Sequence, residues 1–297
     1  MVSVPAALAE ATVRREGDPG RRWLEDLPAL IAQFCERWGC EVVGAAWHGE
    51  VAIVLPVERD AGPAALKISF PHRGNVGEAA ALRHFDGRGA VRLLEADEDA
   101  FALLMERAGQ ETLDSLASVD EAIEIAGYLA RRLAVPAPAG TRSLAETTGP
   151  WEEELDQQLA ATVERPPGPV VDRARRTIRD LAGDTTPTML HGDLHYGNVL
   201  RATREPWLAI DPKGWSGTAA FEVFTVVAGR REELRQADDL AAAVSARIRR
   251  FADAAAVDRD LAVACAQARA TSGFLYQIQQ QGDWFDLELL RCVMALG

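Results

Sequence analysis

Three features of the sequence predict an α+β chain of two lobes, a sheet-containing N-terminal lobe and a mainly helical C-terminal lobe. Residues 51–57 and 65–69 are rich in Val, Ile, Leu and Ala and read as strands in the first third of the chain. From residue 113 onward, apolar residues recur at helical spacing in segment after segment. The length of 297 residues suits two domains, and 48% hydrophobic residues can fill a sizeable core.

The elements follow in order. Residues 23–38 read as an N-terminal helix, followed by the two strands and a helix over 76–85. A further apolar strand at 101–105 runs into a charged, then Gly-containing, exit. A boundary in the region 107–112 gives lobes of 1–107 and 108–297. Helical spacing then covers 113–116 with 123–133, 152–163, 171–181, 234–252 and 261–281. Pro136, Pro138, Pro166, Pro167 and Pro169 separate these helices. No internal repeat or low-complexity tract interrupts them.

Several function classes are disfavoured. A net charge of −13 argues against nucleic acid, whose phosphates require a basic face. No run approaches the ~18 apolar residues of a membrane span. The N-terminus lacks the basic-then-apolar pattern of a signal peptide. Cys35, Cys40, Cys265 and Cys292 form no CxxC motif, which suits free thiols in a reducing cytoplasm. The five histidines show no zinc-ligand spacing with other His or Cys residues.

The chemistry is concentrated in HGDLHYGNVL, residues 191–200, and LAIDPKG, residues 208–214. Asp193 stands five residues before Asn198, and a second carboxylate, Asp211, follows after a short turn. Strand signals at 188–190, 199–200 and 208–210, with a turn at 204–206, predict a hairpin that returns Asp211 to the open end beside Asp193 and Asn198. Phosphoryl transfer needs this set: a carboxylate to accept the acceptor hydroxyl's proton, and an amide oxygen and a second carboxylate to hold magnesium on the ATP phosphates. Upstream, Lys67 lies inside an apolar strand, and a buried lysine needs a partner. Glu78, on the following helix, is the natural one. Each residue also has a plainer reading, as a turn residue, a solvent-facing lysine or a helix-face carboxylate.

The two motifs resemble the aminoglycoside phosphotransferase and related small-molecule kinase family. The Asp-Pro-Lys-Gly turn at 211–214 is most similar to its streptomycin and hydroxyurea kinase subgroup. The resemblance implies a protein-kinase-like bilobal fold that uses ATP and Mg2+. It implies Asp193 as catalytic base and Asn198 and Asp211 as metal ligands; from their place in the motif, His191 is read as orienting the loop and His195 as packing or lining the site. It implies that Lys67, paired with Glu78, contacts the ATP phosphates, and that backbone groups of Glu106 to Ala108 bind adenine. The phosphate-covering loop departs from the glycine-rich pattern of protein kinases: only Gly44 and Gly49 are available, and backbone amides near Gly49 would have to serve.

After Asp211 the subgroup pattern also departs. Related kinases read Gly-Glu/Asp-Pro-Ala-Tyr-Asp; here Thr218 replaces an acid, Ala219 a proline and Glu222 an aspartate. Glu222 keeps a structural role in this reading. Lys213 is retained and can reach a phosphate oxygen or solvent. The expected partners are ATP and a small hydroxyl-bearing acceptor, foremost an aminocyclitol antibiotic, with a sugar or amino sugar as the alternative. Asp283, Trp284 and Asp286 are the acidic-aromatic residues offered to line its cavity, with Trp151 and the acidic turn that follows it sharing that ambiguity. A protein kinase is disfavoured by the missing activation segment. A nucleotide-binding pseudokinase is disfavoured by the intact Lys67, Asp193, Asn198 and Asp211.

Overall fold

The computed structural model describes residues 2–280 and 286–296. The chain forms two compact units, residues 1–110 with 201–213, and residues 111–200 with 214–297. A single cut after residue 107 therefore does not describe it, because residues 201–213 return to the first unit. Three backbone bonds explain the return. Gly109 N–H donates to Arg201 O at 2.7 Å, Ala209 N–H to Gly89 O at 2.8 Å, and Val91 N–H to Ala209 O at 3.0 Å. A Cβ on Gly109 would meet Arg201 O at 3.0 Å, so the close approach favours glycine there.

In the first unit, helices α1 (Ala6–Glu16) and α2 (Asp18–Trp38) precede strands β1 (Cys40–Val42), β2 (Trp47–His48), β3 (Ala52–Arg59) and β4 (Gly62–Ser69). Helix α3 (Glu78–Phe85) and strands β5 (Leu93–Asp97) and β6 (Ala102–Glu106) follow. The strands form an antiparallel sheet in the order β1-β3-β4-β6-β5, with β2 also on β3. Helix α2 starts five residues earlier than periodicity suggested, with Pro19 in its first turn, where the missing N–H costs nothing. Its Leu27, Ile31 and Phe34 are buried in one core with Ile53, Leu55, Leu66, Ile68 and Leu104 of the sheet. Side chains alternate along a strand, so Lys67, between Leu66 and Ile68, faces away from that core.

The second unit opens with a 3-10 turn (Leu113–Ser115) and α4 (Val119–Leu133), capped by the Ser118 hydroxyl. It continues through β7 (Arg142–Ser143), α5 (Leu144–Thr148), α6 (Trp151–Ala161), α7 (Gly168–Ala182), β8 (Met189–Leu190) and β9 (Val199–Arg201). Strand β10 (Trp207–Ala209) lies in the returning segment. Then come β11 (Trp215–Ser216), α8 (Val223–Val227), α9 (Arg231–Arg235), α10 (Leu240–Ala255), α11 (Arg259–Gln280) and α12 (Leu287–Ala295). Strand β11 joins β7 and β8 in a small sheet. The single helix expected over 234–252 is two helices, because Asp239 accepts from Ala242 N–H at 2.9 Å and starts α10 afresh. Helices α4 and α10 pack closely at Gly127, where a Cβ would meet Ala254 Cβ at 2.7 Å. Among the described residues no helix is long and apolar enough to cross a membrane.

Candidate active site

In the first unit, four charged side chains form one cluster. Strand β4 carries Lys67 on the face opposite the α2 core, and α3 begins with Glu78. Lys67 Nζ donates to Glu78 Oε1 and Oε2 at 2.6 and 2.7 Å, and to Asp211 Oδ1 at 2.7 Å. Lys213 Nζ reaches Asp211 Oδ2 at 3.3 Å. Lys67 and Glu78 are buried, whereas the Asp211 side chain keeps 29% of its surface. Burial alone would lower the Lys67 ammonium, but Glu78 and then Asp211 outweigh it and raise it above its ordinary value. Burial pushes the Glu78 carboxyl up, and the ammonium on both its oxygens opposes the push. Asp211 adopts a left-handed backbone, φ 60°, which a short polar residue tolerates better than a branched one.

Two residues offered for nucleotide contact have their N–H groups already engaged. Glu106 N–H donates to Arg92 O at 2.8 Å. Its side chain pairs with Arg204 at 2.9 Å. Ala108, half-buried, lies in the link between β6 and Gly109. Gly49 N–H closes the turn between β2 and β3 by donating to Ala52 O at 3.0 Å, so it is not available to cradle phosphate as expected. A Cβ at Gly49 would meet nothing, so no close approach requires glycine there.

In the second unit, residues 191–198 form a loop held through its backbone. Gly192 sits at φ 86°, a left-handed turn that suits glycine. Its N–H donates to Glu222 Oε1 at 2.7 Å, and Leu194 N–H to Glu222 Oε2 at 3.3 Å. Buried His191 accepts from Asp193 N–H at 3.3 Å, and His195 accepts from Gly197 N–H at 3.1 Å. The Thr225 hydroxyl donates to Leu194 O at 2.6 Å. Asn198 Nδ2 donates to Asp193 O at 2.9 Å, which turns the amide so that Oδ1, a hard oxygen acceptor, is its remaining polar atom.

Glu222 is buried beneath this loop. Burial pushes its carboxyl up to about 7, against the N–H groups of Gly192 and Leu194 and the Arg269 guanidinium, with a further upward push from Asp193. Arg269, on α11, lies over the Phe221 ring at 4.6 Å and the Phe224 ring at 5.5 Å. Arg269 and Thr225 were not foreseen. The available signal was one arginine inside the Ala-rich stretch 266–270 of α11; Thr225 offers none.

The Thr218 departure has a local explanation. Asp184 Oδ2 accepts from Thr218 N–H at 2.7 Å, and the Thr218 hydroxyl accepts from Ala220 N–H at 3.3 Å, capping the 3-10 turn that carries Glu222. At Gly217 a Cβ would meet Leu144 Cβ at 2.6 Å.

Of the residues offered to line an acceptor cavity, those described have partners within the protein. Asp286 caps α12, accepting from Glu288 N–H at 2.9 Å and Leu289 N–H at 3.1 Å, and pairs with Arg235 at 2.6 Å. Asp283 and Trp284 lie outside the described residues. Trp151 donates to Ser272 Oγ at 2.6 Å, and Glu152 accepts from Arg179 Nε at 3.0 Å. Among the described residues no group of three or more His, Cys, Asp or Glu side chains could hold a metal ion.

Comparison with known proteins adds a family to this geometry. Residues 37–274 match the family model of aminoglycoside/hydroxyurea antibiotic resistance kinases. The chain is 33% identical to the streptomycin 6-kinase of Streptomyces glaucescens over 100% of its own length and 97% of the relative's. It is 36% identical to the streptomycin 6-kinase of Streptomyces griseus, with 94% and 92% covered. It is 43% identical to the hydroxyurea phosphotransferase of Kitasatospora aureofaciens, with 75% and 67% covered. In fold it is similar to the choline kinase of Streptococcus pneumoniae, with a TM-score of 0.55 at 12% identity over 91% and 99% of the two chains. It is also similar to an aminoglycoside phosphotransferase solved with ADP and hygromycin B, with a TM-score of 0.53 at 14% identity over 89% and 95%. The fold is protein-kinase-like, and the chain belongs to the aminoglycoside/hydroxyurea antibiotic resistance kinase family: it is a small-molecule phosphotransferase.

Proposed function

We propose that the chain transfers the γ-phosphoryl group of ATP to a hydroxyl of an aminocyclitol antibiotic. One observation carries the nucleotide half of this reading: a buried ammonium, Lys67, held at 2.6 and 2.7 Å by Glu78 and Asp211. Phosphate oxygens are the ligands that such a charge, turned from the apolar core and fixed by carboxylates, can receive. Each unit also carries an oxygen donor of the kind magnesium takes. Asp211 offers a partly exposed carboxylate and Asn198 an amide oxygen, the hard ligands this ion takes beside substrate phosphates. When bound, the ion neutralises charge on the phosphates.

The remaining roles belong to side chains. Lys67 binds the phosphate chain, and Lys213 follows Asp211 as a second cation for it. The Glu106 carbonyl and the Ala108 backbone meet adenine. Asp193 orients the acceptor hydroxyl and takes its proton, while Glu222 and His191 keep the loop in shape. Catalysis then comes mainly from positioning and fixed charge. In this reading the first unit serves the nucleotide, and the second supplies Asp193 for the acceptor and Asn198 for the metal.

The acceptor class draws support from two streptomycin 6-kinases that align with nearly the whole chain. The hydroxyurea phosphotransferase relative favours a second reading, in which hydroxyurea is the acceptor. ADP release with streptomycin, other aminocyclitols, hydroxyurea and a neutral sugar separates them. Stimulation by an aminocyclitol, lost about 10²–10⁴-fold in Asp193→Asn with nucleotide affinity kept, is the expected result. Stimulation by hydroxyurea or the sugar alone overturns the antibiotic assignment. Loss of nucleotide affinity in Asp193→Asn overturns the role of the base.

A further inference from the structure

The geometry points to Arg204 as a positioning residue for phosphoryl transfer: it fastens the segment that carries Asp211 to the end of β6 at Glu106. Metal ligand and adenine-binding backbone are thereby held as one piece. The inference rests on the nucleotide reading above.

Arg204 lies in the turn between β9 and β10, seven residues before Asp211. Its guanidinium has five N–H donors in a fixed fork, and each has an acceptor. Nε donates to Glu106 Oε1 at 2.9 Å and Nη2 to Glu106 Oε2 at 2.9 Å, a two-pronged ion pair. The second Nη2 hydrogen meets Ala90 O at 2.9 Å. Nη1 donates to Gly87 O at 2.7 Å and to Glu205 Oε1 at 2.8 Å. These partners come from three stretches: the turn itself, the loop after α3, and the end of β6.

An exposed ion pair contributes little, and a lone Arg–Glu contact would carry no inference. This one differs in being half-buried and in binding two backbone carbonyls that have fixed positions. The receiving surface is also shaped for it. Gly87 adopts φ 76°, and a Cβ there would meet Arg92 Cγ at 2.8 Å and Arg204 Nη2 at 3.3 Å. Glu106 Oε2 accepts also from Arg92 N–H at 3.1 Å. Beyond Arg204, Ala209 bridges to Gly89 and Val91, so the fastening continues to within two residues of Asp211. Lysine cannot replace this fork, because an ammonium is a single point of charge.

The role makes a claim that simple stabilisation does not. If Arg204 places Asp211 and Glu106, its loss must weaken the nucleotide and its metal more than the acceptor. Arg204→Met keeps much of the side-chain volume and removes the fork; Arg204→Lys keeps the charge. Calorimetry would measure ADP affinity with and without Mg2+, and steady-state kinetics the KM for ATP and for the acceptor. Arg204→Met is expected to weaken Mg2+-dependent ADP binding by roughly ten- to a hundredfold, the range seen when groups that orient metal ligands are removed. The KM for ATP should rise with it while the acceptor KM stays within about twofold, and Arg204→Lys should recover only part of the loss.

A lowered melting temperature with wild-type nucleotide constants in the folded fraction overturns the inference, as does an equal rise in both KM values. Should Arg204→Met fail to fold, Glu106→Gln, which keeps size and loses the charge pair, is read by the same ratio and decides the question. The parent reading fails differently. Wild-type protein that shows no Mg2+-dependent ADP binding would remove the nucleotide assignment itself, whatever Arg204 does.

Discussion

The two charged centres of this molecule are built on opposite plans. Around Lys67, acting side chains hold one another: Glu78 and Asp211 grip the ammonium directly, and Lys213 adds a second cation. Around Asp193 the loop is held through main-chain N–H groups by Glu222, His191 and His195, and the Asn198 side chain is fixed by a main-chain carbonyl. The first plan suits a site that must receive a highly charged ligand, since its own charges are already balanced. The second suits a site that must present a carboxylate and an amide at fixed positions. The difference teaches where each centre is fragile. In the first, one substitution leaves an uncompensated charge. In the second, it loosens a loop.

The largest effect is expected in the first centre. Lys67→Met strands the Glu78 carboxylate in a buried site, and breaking a buried pair in this way typically costs about 3–5 kcal/mol. Phosphoryl transfer should fall with it, and ATP affinity should fall in the same variant. Glu78→Gln should be milder, because a neutral amide still meets the ammonium. In a double-mutant cycle on ATP affinity the two losses should be strongly non-additive; additive losses would break the pair as a functional unit.

A smaller effect is expected under the loop, and it carries a pH signature. Glu222→Gln places an NH2 group against one of two N–H donors, a mismatch worth about 1–3 kcal/mol, so kcat should drop roughly tenfold with the KM for ATP unchanged. The sign of the pH effect follows from the raised carboxyl. Its ordinary value is 4.5 and its folded value about 7, so the folded chain holds more proton than the unfolded chain between them. The stability this group contributes is therefore complete below pH 4.5 and is lost as pH rises through 7. Melting temperatures measured across that window should show this slope in the wild type and its absence in Glu222→Gln. An unchanged slope would mean that another group titrates there.

The smallest effect sharpens the comparison from outside both centres. Asp286→Ala removes a helix cap and an ion pair, at a cost of about 1 kcal/mol. The acceptor KM should not move, and thermal denaturation should record a shift of a few degrees. An acceptor KM that rises severalfold would assign Asp286 to the binding surface instead.

How much of this was legible in the sequence depended on where a residue's partners lie. Asp193, Asn198 and Asp211 stand in short motifs whose spacing reflects local turns, so they could be singled out directly. Lys67 was legible because a cation inside an apolar strand is anomalous, and Glu78 because a buried cation requires an anion. Arg204 was read as no more than a turn residue. Its partners are 98, 114 and 117 residues away, two of them backbone carbonyls with no side-chain signature. For Asp286 the sequence offered only an acidic residue beside aromatics, the pattern of a binding surface; its cap and its Arg235 partner appear only in three dimensions. The break between α9 and α10 was hidden because apolar spacing continues across it while Asp239 restarts the helix.

The return of residues 201–213 to the first unit has a consequence during synthesis. A ribosome delivers the strands β1 to β6 before Arg204 and Asp211, which arrive about a hundred residues later, after residues 111–200 of the second unit. The N-terminal piece alone therefore exposes the Gly87, Ala90 and Glu106 acceptors and leaves Lys67 with one carboxylate instead of two. The first unit is thus interrupted on the ribosome by residues 111–200 before its last segment is made. Domain-by-domain folding from the N-terminus, the ordinary course for chains of this size, is closed to it until residue 213 has emerged.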